Sequence, residues 1–444
     1  MNISRVQDAL SPGPLRKREE LDRYYTETSE ARTGDKYSDF VKSLGLALKN
    51  CESTQIHRLF IGHSGCGKTT ELFRLTECLE RERFSVCMGR CDYDLDSADI
   101  EYTDILFYML DLLLEKAEQR ALDVNSELIQ DINDYWKSQK EIVDTISKAK
   151  ELSTSGEVSG KVNLLTVINI MTAIKGVIKN GNESRTVIRR SIDPKSSELI
   201  SYINRVLRDI SEQLRARGEK YPIVFIIDGL DKIPLEQARK IFRENGAKFA
   251  SLECHLIVTF PIAITYLPEY TDIQTWFPDS DRLPMIKIKK WNGTAYDNGY
   301  KEGIDTLKNI IAKRIDLNLF ETDDALEVII EKTGGDIRQL FSCISTAAIR
   351  AQLRGADTIC KEDSDNALKK LKTAINARYG EEQLKTLNAI YCGDKYLNSN
   401  DDTIKLLQSG AILEYNGQRW VDLHPLVEEW LLEHNKIGNG RCSQ

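Results

Sequence analysis

Long hydrophobic runs are missing from this chain. The nearest, Val162 to Ile178, is interrupted by Asn163, Asn169 and Lys175, so no segment reads as a bilayer span. The opening Met1-Asn2-Ile3-Ser4-Arg5 lacks the apolar core of a secretory signal. A basic excess is missing too: the net charge of −8 excludes a generally basic nucleic-acid coat and leaves only a local patch open. The ten cysteines contain no C-x-x-C pair. Cys87 and Cys91 are near neighbours without a histidine or second cysteine pair in reach, so reduced thiols are expected rather than zinc ligands. Together these absences predict a cytoplasmic protein with no membrane partner. What is present is ordinary for a globular chain: 41% hydrophobic and 29% charged, with 444 residues to divide among two or three domains.

One stretch organises the rest: Gly62, His63, Ser64, Gly65, Cys66, Gly67, Lys68, Thr69 and Thr70. Apolar Leu59, Phe60 and Ile61 lead in, and a helical pattern from Glu71 to Glu82 leads out. The spacing is G-x-x-x-x-G-K-[ST], the phosphate-binding loop, in the strand–loop–helix context that the motif requires. Glycines admit positive φ and keep side chains away from a ligand. Backbone N–H groups then converge on phosphate oxygens, assisted by the helix N-terminus. Lys68 is placed for the β and γ phosphates, and the Thr69 hydroxyl for Mg²⁺.

A second anchor is expected at Ile223-Val224-Phe225-Ile226-Ile227-Asp228-Gly229-Leu230-Asp231. A continuous run rich in β-branched residues reads as a central parallel strand, and its terminal acid sits where ligands bind in such sheets. Asp228 is the expected partner of Thr69 in holding Mg²⁺. Asp231 is placed to polarise an attacking water. Thr259 ends the strand His255–Thr259, either beside the γ phosphate or as a plain strand-end hydroxyl. Met285 to Lys289 alternates as a last sheet strand, with Arg282 just before it.

Elsewhere several readings stay open. Tyr24-Tyr25 either covers a base or packs on the surface. The acidic Cys91–Asp96 loop reads as solvated rather than cation-holding, because it lacks the calcium-loop glycine and terminal glutamate. Val162 to Ile178 either packs on the core or forms a partner contact. Arg185, Arg189 and Arg190 face phosphate, an acidic neighbour or solvent. From Gly303 onward four helices are expected, with Thr333-Gly334-Gly335 leading into the helix that carries Arg338. Asn416-Gly417 between apolar runs predicts a hairpin after two helices, the order of a winged helix.

In this order the pieces resemble an AAA+ P-loop ATPase of the origin-recognition/initiator branch and the nearby STAND (NACHT-like) ATPases, over roughly residues 55–434. The resemblance implies an α/β P-loop NTPase with a three-layer core, parallel sheet, helical lid and C-terminal winged helix. The divisions are a lead-in at 1–54, an ATPase core at 55–292 with a helical insertion about 121–190, a lid at 293–378 and a winged-helix-like domain at 379–444. It further implies that Asp228 is the Walker B acid, Thr259 sensor 1, Arg338 sensor 2 and Arg282 a trans-acting arginine finger. Two residues depart from the pattern. Gly229 stands where most AAA+ proteins carry glutamate, and Gly-Gly-Asp-Ile-Arg replaces the STAND Gly-x-Pro element. The implied activity is a slow, switch-like ATPase whose nucleotide state governs homo-oligomerisation or contact with a separate effector, as in bacterial defence-type systems. The alternative is a DNA-binding initiator. Against it, acids outnumber lysine and arginine by ten to six from Glu381 onward, and the recognition helix would open on Asp401-Asp402 with only Lys405.

Overall fold

A computed structural model of the chain describes residues 2–11, 13–51, 54–139, 163–180, 183–219, 223–291, 296–297, 300–375, 379–393, 397, 399–415 and 420–437. Five parallel strands form the core: β1 (His57–Ile61), β2 (Val86–Arg90), β3 (Val224–Asp228), β4 (His255–Phe260) and β5 (Asp279–Arg282), in the order β2-β3-β4-β1-β5. The strand period of two sends alternate residues to opposite faces. Leu59, Ile61, Phe225, Ile227, Leu256 and Val258 join one apolar cluster. Phe60, Val224, Ile226 and Ile257 join another, beneath the helices Phe40–Lys49 and Lys68–Arg81. Both faces are covered, which is why β3 and β4 read as unbroken apolar runs.

The edge strand corrects an expectation. The last strand of the sheet is Asp279–Arg282, hydrogen-bonded along β1, and not Met285 to Lys289. Its polar side chains supply no hydrophobic period, but Arg58 holds both Asp281 (3.1 Å) and Asp279 (3.4 Å) from β1. The alternation in 285–289 has a different origin. Ile286 and Ile288 are buried in the cluster of the later helices, while the Met285 and Lys287 N–H groups donate to the carbonyls of Glu414 and Ala31.

The insertion is built on the same core. Val167, Met171 and Ile174 of the helix Leu164–Asn180 are fully buried in the cluster that holds the helix Tyr102–Gln119, so this segment packs inward. Arg185 and Arg189 are buried and paired with Asp96, Asp99, Glu101 and Asp104, so neither is a solvated charge or a phosphate ligand. The acidic loop is accordingly not merely solvated. Asp92 takes Arg90 and Lys232, Asp94 accepts from Tyr108, and Asp96 takes Arg185. Among the described residues no cluster of three or more histidines, cysteines or carboxylates forms a metal site, and none of the described cysteines is bonded to another.

The helices Lys301–Ala312, Asp323–Lys332, Ile337–Leu353 and Lys361–Ile375 share a second core, to which Ile3, Val6 and Leu10 of the N-terminus contribute. Then come helices Glu381–Cys392 and Asp401–Ser409, an antiparallel pair Ile412–Tyr415 with Trp420–Leu423, and the helix Pro425–Glu433. The predicted Asn416-Gly417 turn lies outside the described residues. No helix among the described residues is long and apolar enough to cross a membrane.

Candidate functional site

The loop between β1 and the helix Lys68–Arg81 turns through left-handed backbone at Gly65 (φ +86°) and Gly67 (φ +104°), where only glycine is unstrained. At Gly65 a Cβ would also collide with the carboxylate of Asp336. The helix begins at Lys68, so its first free N–H groups open into the same cleft. Lys68 Nζ donates to the carbonyls of Gly62 (2.7 Å) and His63 (2.8 Å) and pairs with Asp231 Oδ2 at 2.9 Å. Burial alone would depress the lysine, but the Asp231 carboxylate outweighs it and holds the ammonium above its usual range.

At the next residue, Thr69 Oγ1 donates to Asp228 Oδ2 at 2.6 Å. The other carboxylate oxygen accepts the Gly229 N–H at 2.8 Å, which fixes the acid at the end of β3. Burial first, and the nearby Asp231 charge second, raise the Asp228 pKa. Both therefore favour a cation beside it. A hydroxyl and a carboxylate in contact are hard oxygen donors that fit Mg²⁺ completed by phosphate and water. This is a P-loop α/β fold.

The Gly229 departure now has a cause. Its φ is +92°, and a Cβ would lie 2.6 Å from the Asp92 backbone nitrogen. No glutamate fits directly after Asp228. The nearby acid is Asp231, carried round by the short turn Leu230–Lys232.

Arg338 also reaches the loop. Asp336 caps its helix by accepting the Gln339 N–H at 2.9 Å, and Arg338 Nη1 donates to Ser64 Oγ at 2.9 Å. Burial raises the Asp336 carboxyl to about 6. Thr259 lies near the end of β4, and its buried hydroxyl accepts the Leu230 N–H at 3.0 Å, so it supports the turn that carries Asp231. Arg282 corrects an expectation. Its Nη1 bonds Glu414 Oε2 at 2.7 Å, and Tyr266 donates to the same oxygen at 2.5 Å. A buried carboxylate of the C-terminal hairpin holds this arginine within its own chain, so it does not project as a finger.

Contacts that the sequence reading missed complete the site. His63 Nε2 accepts the Glu414 N–H at 2.8 Å, so the proton is on Nδ1. Burial, then the Lys68 and Arg282 charges, push this imidazole down to about 3, and it stays neutral. Arg32, buried in the lead-in, donates to Cys66 O at 2.7 Å and also to Pro284 O. The lead-in then closes the cleft. Tyr24, Tyr25, Ile310, Arg314 and Phe341 face the phosphate loop across about 980 Å³ of space, part of it open solvent. Tyr24 and Tyr25 both line this cleft.

No protein-family model and no curated protein matches the chain. Among solved structures it is similar to the ORC2 protein of Aeropyrum pernix in ADPNP–ADP complexes, at 12% identity and TM-score 0.41, covering 95% of this chain and 99% of that one. It is similar to Cdc6p from Pyrobaculum aerophilum at 12% and 0.39, covering 97% of each. It is also similar to a Walker-type ATPase of Pyrococcus abyssi at 13% and 0.43, covering 96% of this chain and 99% of that one.

Proposed function

We propose that the chain binds ATP with Mg²⁺ and hydrolyses it slowly, as an AAA+/STAND-like switch. One observation carries this reading. Lys68 and Thr69 of one helix, Asp228 of β3 and Arg338 of a later helix converge on a single glycine loop.

The chemistry follows from the contacts that must change. Phosphate oxygens compete with Asp231 and two backbone carbonyls for Lys68 Nζ. A charge-assisted bond to phosphate replaces them. Asp231 is then released beside the site and takes the proton of the attacking water. The water oxygen bonds to the γ phosphorus as the β–γ bridging bond breaks. Thr69 and Asp228 would hold Mg²⁺, which would supply neutralisation of phosphate charge. Arg338 moves from Ser64 to the terminal phosphate and draws the lid helices with it. Loss of that phosphate removes the contact and frees the lid, so nucleotide state sets a conformational equilibrium. The His63–Glu414 bond carries the same movement to the C-terminal hairpin.

The partner of the closed form is a second copy of this chain or a separate effector, in a defence-type or other regulatory setting. Nucleic acid is disfavoured. The helix Asp401–Ser409 offers one lysine against two acids and buries Thr403, Ile404, Leu406 and Leu407. The test is nucleotide affinity and turnover in Lys68→Ala and Asp228→Ala. The first should abolish binding, and the second should keep part of it and stop turnover. Unchanged binding and turnover in both would refute the reading.

A further inference from the structure

Arg90 ends β2 in register with Asp228 of β3. Residues opposite each other in adjacent strands share a face. Arg90 therefore projects on the side of the sheet where Asp228 meets Thr69, and it lines the same cleft as the phosphate loop. Its Nη2 donates to Asp92 Oδ2 at 2.9 Å. Its Nε and Nη1 are buried with no hydrogen-bond partner among the described residues, and the Tyr93 ring lies at 5.9 Å. A guanidinium has five donors and cannot neutralise itself by losing a proton, so buried free N–H groups call for an acceptor. A phosphate bound on the loop would bring acceptor oxygens into the cleft that Arg90 lines.

The position selects which phosphate. The loop backbone and the first turn of the helix Lys68–Arg81 serve the inner phosphates. Arg90 lies opposite Asp228 in the sheet register, on the side of the pair that would hold a metal bridging the outer phosphates. Asp92 fixes the arginine there, and the same carboxylate is tied by Lys232 Nζ at 2.6 Å.

We infer that Arg90 is a terminal-phosphate ligand supplied in cis from the end of β2, and that it makes the site read triphosphate against diphosphate. This rests on the nucleotide reading above. It assigns to an arginine inside the core the charge stabilisation expected of Arg282.

The test is the affinity of Arg90→Gln and Arg90→Lys for ADP and for a non-hydrolysable ATP analogue, each with Mg²⁺. Lys232 remains on Asp92 in both variants, so neither strands a buried carboxylate. Arg90→Gln should bind the analogue about tenfold or more weakly, as expected on losing one charge-assisted contact, with ADP affinity changed less than about threefold. Arg90→Lys should recover part of the loss. Equal losses for the two nucleotides, or no loss for either, would overturn the inference and leave the nucleotide site standing. A wild-type chain that binds neither nucleotide overturns both.

Discussion

The ammonium of Lys68 lies 2.9 Å from the carboxylate of Asp231, and both side chains are almost wholly buried. The two groups proposed to act on a triphosphate are thus paired with each other. A phosphate taken up by Lys68 would have to displace this contact, which would couple its recognition to the release of the acid.

Asp231→Asn separates the two halves of that exchange. With the charge gone, Lys68 meets phosphate without competition, so nucleotide affinity should hold or rise. Turnover should fall by about 10²–10⁴, the usual value of a general base. Titration and steady-state phosphate release measure the two. Lost affinity with retained turnover would contradict the assignment.

The Thr69–Asp228 pair predicts a metal-dependent share of affinity. In wild type, chelating Mg²⁺ should weaken ATP binding. In Asp228→Ala the same chelation should change it little, because the hydroxyl alone is a poor ligand. Calorimetry with and without chelator decides it.

Asp336 gives a pH signature. Its carboxyl is raised from 3.8 to about 6 by burial. Between those values the folded chain keeps a proton that the unfolded chain has released. Its contribution is full below pH 4 and is lost as pH rises through 6, about 3 kcal/mol in all. Asp336→Asn keeps a good helix cap and removes the charge. Denaturant melts from pH 4 to 7 should show a shallower decline than wild type and a more stable variant at pH 7.

Arg282→Met should destabilise by roughly 3–5 kcal/mol, because it leaves the Glu414 carboxylate buried without its cation. A finger acting in trans would give a different result. Mixing Arg282→Met with Lys68→Ala chains would then restore turnover, and the account predicts no restoration.

Much of the site is legible in sequence because its parts are local. Residues 62–70 carry a motif, and β3 and β4 are apolar enough to be read directly with the acid at 228. What is hidden depends on contacts across the chain. Asp279–Arg282 pairs through its backbone, and a polar edge strand leaves no hydrophobic period. Arg185 and Arg189 read as surface charge until the fold sets Asp99 and Asp104 against them. His63 finds Glu414 at a separation of 351 residues, and no local pattern announces such a pair. Gly229 shows the reverse case. The departure is visible in sequence, but its cause, the close approach of Asp92, is visible only in the fold.

The most direct test of the central claim is calorimetric titration of ATP with Mg²⁺ into wild type and Lys68→Ala, with folding of both checked by circular dichroism. The account predicts one saturable site per chain in wild type and none in the variant. Equal binding by both, or none by a folded wild-type chain, would contradict it.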